Sequence, residues 1–155
     1  MNILLIAERT SGHMTNLLSI YQELLRRNYK PFFVINNSKN EQNFVDYNKI
    51  NFYKYTNLIE FKNILNKLNP KCLISSGGKF SFKIVNLAKI MNIPCYLLEP
   101  NYYPGLTNII NSIDSIVLSP SSKYSNLYAG KIIKYDNPLR INNCRKLEIN
   151  TDKKY

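Results

Sequence analysis

"KCLISSGGKFSFKIVNLAKIMNIPCYLLE", residues 71–99, contains the fold in miniature. Residues 71–76 form an apolar run of strand length, and Gly77-Gly78 breaks it. Residues 82–92 then place apolar side chains at helical spacing, and residues 93–99 are a second run of strand length. Two continuous apolar runs joined through a glycine turn and a helix read as a right-handed β-α-β crossover between parallel strands buried on both faces.

The same unit recurs on either side. "NILLIA", residues 2–7, reads as a strand; "ERTSGH" follows and opens a helix within residues 14–29, where Leu17, Leu18, Tyr21, Leu24 and Leu25 make one stripe. Arg26 and Arg27 close that helix at the end where cations suit its dipole. "PFFVIN" (31–36) and "INFYKY" (50–55) read as strands, and the polar stretch 37–49 between them as a loop with at most one helical turn. Residues 58–69 put Leu58, Phe61, Ile64, Leu65 and Leu68 on one helical face, with Pro70 as the stop. "DSIVLS" (114–119) and "KIIKYD" (131–136) complete the strands, with a helical turn or two at 123–128. The class is α/β: a single Rossmann-like domain, a parallel sheet with helices on both faces.

A chain of 155 residues is the size of one domain, burying roughly 70% of its unfolded surface. Its formal charge of +11, from 21 basic and 10 acidic residues, favours an anionic partner: nucleic acid, lipid headgroups or a phosphorylated substrate. Abundant Asn, Lys, Ile and Tyr is also the composition of AT-rich coding sequence, which discounts the charge. The tyrosines are scattered rather than gathered into a stacking platform, which sets nucleic acid behind the other two. Cys72, Cys95 and Cys144 are odd in number and at no metal-like spacing, so they read as reduced thiols, and nothing in the pattern calls for a metal ion or cofactor. The N-terminus lacks a basic lead, and no run approaches the roughly 20 apolar residues of a spanning helix. The expectation is a cytoplasmic protein, soluble or peripheral to a membrane.

In open parallel sheets ligands sit beyond the carboxyl ends of the strands. Three loops qualify. "ERTSGHM" (8–14) ends in Gly12-His13 at a helix start, where backbone amides favour a phosphate. His13 is the single histidine of the chain, and an imidazole can serve as base or hydrogen-bond donor near neutrality. "SSGGKFS" (75–81) supplies the same device through Ser76, Gly77, Gly78 and Lys79. Glu99 and Asn101 directly follow a strand and open the third loop, "EPNYYPGLTN". Each has a plainer reading: a Gly-His pair as a cap, Glu8 and Glu99 as solvated acids, Pro100, Pro104 and Gly105 as a turn, Asn108 as a helix cap. Neither G-x-G-x-x-G nor a Walker loop is present.

Taken together and in order, these loops resemble the N-terminal, acceptor-binding domain of the MurG-type GT-B glycosyltransferases, the peptidoglycan N-acetylglucosaminyltransferase family. "LLEPNYYPGLTNIINSIDSIVLS" (97–119) is similar to that family's H-E-x-N-x-x-P-G-x-x-N segment with the helix and strand behind it, matching at Glu99, Asn101, Pro104, Gly105, Leu106, Thr107 and Asn108. Residues 74–99 resemble its second glycine loop, helix and following strand; "DNPLR" (136–140) resembles the G-N-P-[VI]-R that closes the domain; His13 aligns with the histidine of the first loop. The departures are specific. Glu8, Arg9 and Ser11 stand where the family's G-G-T-G-G-H has glycines, and Leu98 and Pro100 replace two positions of H-E-Q-N. The membrane-contacting stretch before the second glycine loop is shortened; Lys62, Lys67 and Lys71 either replace it or form an ordinary solvated helix face.

The resemblance implies residues 1–140 as an acceptor domain and 141–155 as a tail or the start of an interdomain linker, with the donor-binding C-terminal domain absent. It implies sugar transfer, from UDP-N-acetylglucosamine, to a lipid-diphosphate-linked acceptor at the cytoplasmic membrane face, with a separate donor-binding subunit as partner. The nearest analogy is the eukaryotic two-subunit enzyme acting on a dolichol-linked sugar, a likeness of fold. Gly12, His13, Gly77 and Gly78 would face the acceptor diphosphate, with Ser76 and Lys79 beside them. His13 would be base or proton relay, while Glu99 and Asn101, with Thr107 and Asn108, would hold the acceptor sugar. An anionic membrane surface would attract the basic chain. The alternative is a non-catalytic relic, or a binding module for phosphorylated or lipid-linked glycans.

Overall fold

In the computed structural model, residues 1–7, 11–78 and 81–135 are described. "DNPLR", the tail 141–155, Cys144, Glu8, Arg9 and Lys79 lie outside them. The described chain runs β1 (Asn2–Ile6), α1 (Ser11–Arg26), β2 (Lys30–Ile35), α2 (Lys39–Tyr47), β3 (Phe52–Lys54), α3 (Leu58–Leu68), β4 (Cys72–Ser75), α4 (Ser81–Ile90), β5 (Cys95–Leu98), α5 (Leu106–Asn111), β6 (Ile116–Ser119) and β7 (Lys131–Lys134). A 3₁₀ turn at Ser125–Leu127 is what the sequence suggests as a helical turn. All seven strands form one parallel sheet in the order β3-β2-β1-β4-β5-β6-β7. The expected Rossmann-like α/β class holds.

Burial explains the continuous apolar runs. Along β1, Leu4 and Ile6 enter the core shared with α3 and α4, while Ile3 and Leu5 enter the opposite core with α1 and α2. No face of that strand meets water, so alternation vanishes from its sequence. On one side Phe61, Leu65, Ile84 and Val85 cover the sheet; on the other Met14, Leu17 and Tyr21 do, packed on sheet residues such as Phe33. Removing a side chain such as Phe61, fully buried, costs about 3–5 kcal/mol.

The helices stop on asparagine. Asn28, Asn69 and Asn92 follow or cap α1, α3 and α4 with φ of 61°, 42° and 57°. Asparagine tolerates this left-handed conformation better than other residues with a Cβ, and it turns the chain toward the next strand. At α3 the start is equally defined: the Asn57 side chain accepts from the Glu60 amide at 2.9 Å, and Glu60 accepts in turn from the Thr56 amide at 2.7 Å.

The stretch 37–49 departs from expectation, for α2 is a nine-residue helix rather than a loop. Its apolar surface is small, chiefly the buried Val45 with Phe44 tilted against Phe33 at 6.4 Å. What seats it is polar. Glu41 is buried at 0% exposure and its Oε2 accepts from the Asn36 amide at the end of β2, at 2.6 Å. A helix held by a buried carboxylate has no apolar stripe to read.

Candidate functional site

The strand order turns back between β1 and β4, since the chain runs outward from β1 to β3 and then crosses to β4 on the other flank. The crevice beyond their carboxyl ends is the ligand position of such sheets. Backbone bonds close its floor: the Ser76 amide donates to the Ile6 carbonyl at 3.0 Å, extending the β1–β4 pairing by one residue.

Four segments line the site. From α1, Gly12 is exposed and His13 half-buried, and the His13 carbonyl accepts from Ser76 Oγ at 3.3 Å. His13 Nδ1 is buried without a hydrogen-bond partner. After β4, Gly77 and Gly78 take φ of 92° and 117°, conformations that side chains rarely adopt. The Gly77 amide donates to Ser75 Oγ at 3.2 Å, and the Gly78 carbonyl accepts from both the amide and hydroxyl of Ser81 at 3.1 and 2.7 Å, fixing the entry to α4.

The third segment is the loop after β5. Glu99 is 1% exposed and its carboxylate faces the loop's own donors: Oε1 accepts from the Asn101 amide at 3.0 Å, and Oε2 from the Gly105 amide at 2.8 Å and from Asn108 Nδ2 at 3.0 Å. The charge does local work, closing a turn whose prolines remove donors and whose Gly105 amide would otherwise be orphaned at the start of α5. Burial first, and then this nearby negative charge, pushes the Tyr128 and Tyr135 hydroxyls well above the ordinary phenol range. Neither reading of Glu99 from sequence, as a solvated acid or as a side chain projecting into the crevice, describes this inward clamp.

From α5, Asn108 joins the second and third segments. Its Nδ2 also donates to the Leu98 carbonyl at 3.2 Å, while its buried Oδ1 has no partner and stands where a Gly77 Cβ would approach to 3.3 Å. The structure thus brings Ser76 and Gly77 against His13 and Asn108, and Asn108 against Glu99. Asn101 is exposed on the loop, and Thr107 is half-buried in the first turn of α5. Sequence reasoning passed over Ser75 and Ser81, which fix the glycine turn from either end. Their signal was position, a hydroxyl on each side of "SGGKF".

Three of the tyrosines gather, though edge-on and not as a stacking platform. Tyr102 and Tyr103 meet Tyr124 edge-on, with ring centroids 5.8 and 5.0 Å apart. They are distant in sequence, and neighbouring loops of parallel strands bring them together. Cys72 and Cys95 are free, the latter buried, and burial raises both thiols, Cys95 to about 11.

A Rossmann-like parallel sheet with glycine loops at its switch point is the architecture of half a GT-B molecule. The chain is MurG-like over most of its length. It is 25% identical to the UDP-N-acetylglucosamine–N-acetylmuramyl-(pentapeptide) pyrophosphoryl-undecaprenol N-acetylglucosamine transferase of Thermosipho africanus, across 94% of this chain and 50% of that relative. It superposes on the N-terminal half of Acinetobacter baumannii MurG with a TM-score of 0.72 at 16% identity, covering 86% of this chain and 45% of that one. The UDP-GlcNAc 2-epimerase of Neisseria meningitidis, solved with UDP-GlcNAc, superposes with a TM-score of 0.69 at 16% identity over 89% of this chain and 47% of that one. No protein-family model matches the chain. The chain is similar in sequence to MurG-type transferases and shares its fold with one half of MurG and of the UDP-GlcNAc 2-epimerase, and it spans about half the length of these proteins.

Proposed function

We propose that the chain is the acceptor-binding half of a glycosyltransferase, working with a separate donor-binding subunit to transfer N-acetylglucosamine from UDP-N-acetylglucosamine to a lipid-diphosphate-linked acceptor. The observation that carries this is a pair of buried polar atoms without protein partners, His13 Nδ1 and Asn108 Oδ1, on two segments that line the switch-point crevice. Buried polar atoms cost free energy unless bonded, so unpaired atoms on segments at a ligand position are suited to a partner from outside the chain. On this reading residues 1–140 are the acceptor domain and 141–155 a tail or linker.

The chemistry is a displacement. The acceptor hydroxyl oxygen attacks the anomeric carbon of the donor sugar, the bond to the UDP oxygen breaks, UDP leaves with that electron pair, and His13 takes the hydroxyl proton. Gly12, Gly77 and Gly78, with Ser76 and Lys79, cradle the acceptor diphosphate; Asn108, Asn101 and Thr107 face its sugar; Glu99 acts by holding their loop. Among the described residues no helix is long and apolar enough to cross a membrane. The excess of basic residues favours an anionic membrane surface, at about 1 kcal/mol per well-placed cation, and a peripheral place on its cytoplasmic face.

A second reading, a glycan-binding module without catalysis, draws on the replaced glycines of the first loop. One experiment separates them. His13 touches Ser76 through its main-chain carbonyl, which alanine retains. His13→Ala is therefore expected to leave thermal unfolding unchanged and to abolish transfer of labelled N-acetylglucosamine to a lipid-diphosphate acceptor by the complex recovered from the host. Unchanged turnover removes His13 from the chemistry, and absence of any donor-binding partner or transfer favours the binding module.

A further inference from the structure

The loop after β5 has a second side. Away from the crevice, Pro100 and Tyr102 wall an open concavity of about 540 Å³ whose other residues include Pro120, Ser121, Lys123 and Lys134. It lies beyond the carboxyl ends of β5, β6 and β7 and uses none of the crevice's polar side chains.

Its walls are set before any ligand arrives. Ser119 Oγ donates to the Ser121 carbonyl at 2.9 Å and the Lys123 amide donates to Ser121 Oγ at 3.1 Å, which fixes one wall. The Glu99 clamp fixes the other. Above them, the Lys123 ammonium lies 5.6 Å from the Tyr102 ring centroid and 5.5 Å from that of Tyr124. Tyr102 and Tyr103 nevertheless remain 61% and 64% exposed, so much of their ring surface stays open beside the Lys123 and Tyr124 contacts. No carboxylate lines the concavity, and Lys123 and Lys134 make no ion pair among the described residues.

We propose that this concavity binds a hexose bearing an anionic substituent, a phosphate or a uronate carboxylate. The negative face of a tyrosine ring attracts the polarised C–H groups of a pyranose, and hydroxyls of serine and tyrosine match those of the sugar. The two lysines supply the charge for one anion at the edge of the ring. Successive nucleobases would need open ring faces in a row, whereas Tyr124 stands edge-on to both of its neighbours. The site rests on its own geometry: a failed transfer assay leaves it standing, and its failure leaves the crevice reading intact.

The test is titration of the full chain with N-acetylglucosamine 1-phosphate, glucuronic acid, N-acetylglucosamine and inorganic phosphate, read by NMR of labelled tyrosine rings and glycine amides. At least one anionic sugar is expected to bind tenfold or more tighter than both the neutral sugar and phosphate, moving the Tyr102 and Tyr124 signals; which one binds names the anion. Tyr102→Ala and Lys123→Gln, both at exposed positions, should each weaken that binding at least tenfold, while Tyr47→Ala, at a residue 86% exposed on α2, should not change it. Inorganic phosphate or the neutral sugar binding as tightly as both anionic sugars overturns the proposal. So does sugar binding that moves the Gly77 and Gly78 amides and leaves the tyrosines still.

Discussion

Gly12 follows β1 and Gly77 follows β4, and these strands lie side by side in the sheet. In sequence the two residues look alike, each a glycine among polar neighbours between an apolar run and a helix. In the structure Gly12 is the second residue of α1, and an added Cβ there meets no atom within 4 Å. Gly77 has φ of +92°, and its added Cβ would press to 3.3 Å on the Asn108 side chain. One glycine is optional for the fold, and the other lets two loops touch. A glycine in a sequence marks a permitted conformation; contact with the next loop makes it required.

That contrast can be broken at its strongest point, the carboxylate behind Asn108. Glu99→Gln replaces one acceptor oxygen by a donor facing other donors and is expected to cost about 3 kcal/mol in urea unfolding. A loss below about 1 kcal/mol would mean that the loop closes without it. Gly77→Ala comes next, with an expected loss of about 1–3 kcal/mol from the left-handed backbone and the Asn108 contact. Gly12→Ala should act in the opposite direction, adding up to about 1 kcal/mol because alanine suits a helix better than glycine. If Gly12→Ala also abolishes acceptor binding, its glycine serves a ligand rather than the fold, which would sharpen the comparison.

The order of strands and helices was legible because the sheet is buried on both faces and its strands are written as unbroken apolar runs. "NILLIA" and "KCLISS" could hardly be anything else at that length. The helix α2 was not legible, since Glu41 does part of the anchoring that apolar side chains do elsewhere. At the site, the loops could be found from sequence, but the direction of Glu99 could not. It depends on where the Gly105 amide and Asn108 fall after a turn containing Pro100 and Pro104, a matter of three-dimensional closure rather than of spacing. The meeting of Tyr102 and Tyr103 with Tyr124 was hidden for the same reason: it is set by the adjacency of β5 and β6.

The outermost strands of the described sheet also limit what it can recruit. β3 spans three residues and β7 four, and β7 reads Lys-Ile-Ile-Lys. Were two copies to join β7 to β7, an antiparallel pairing would set Lys131 against Lys134, and an in-register parallel pairing would set each lysine against itself. Either pairing begins with facing ammonium groups, so this edge resists joining its own copy in either direction.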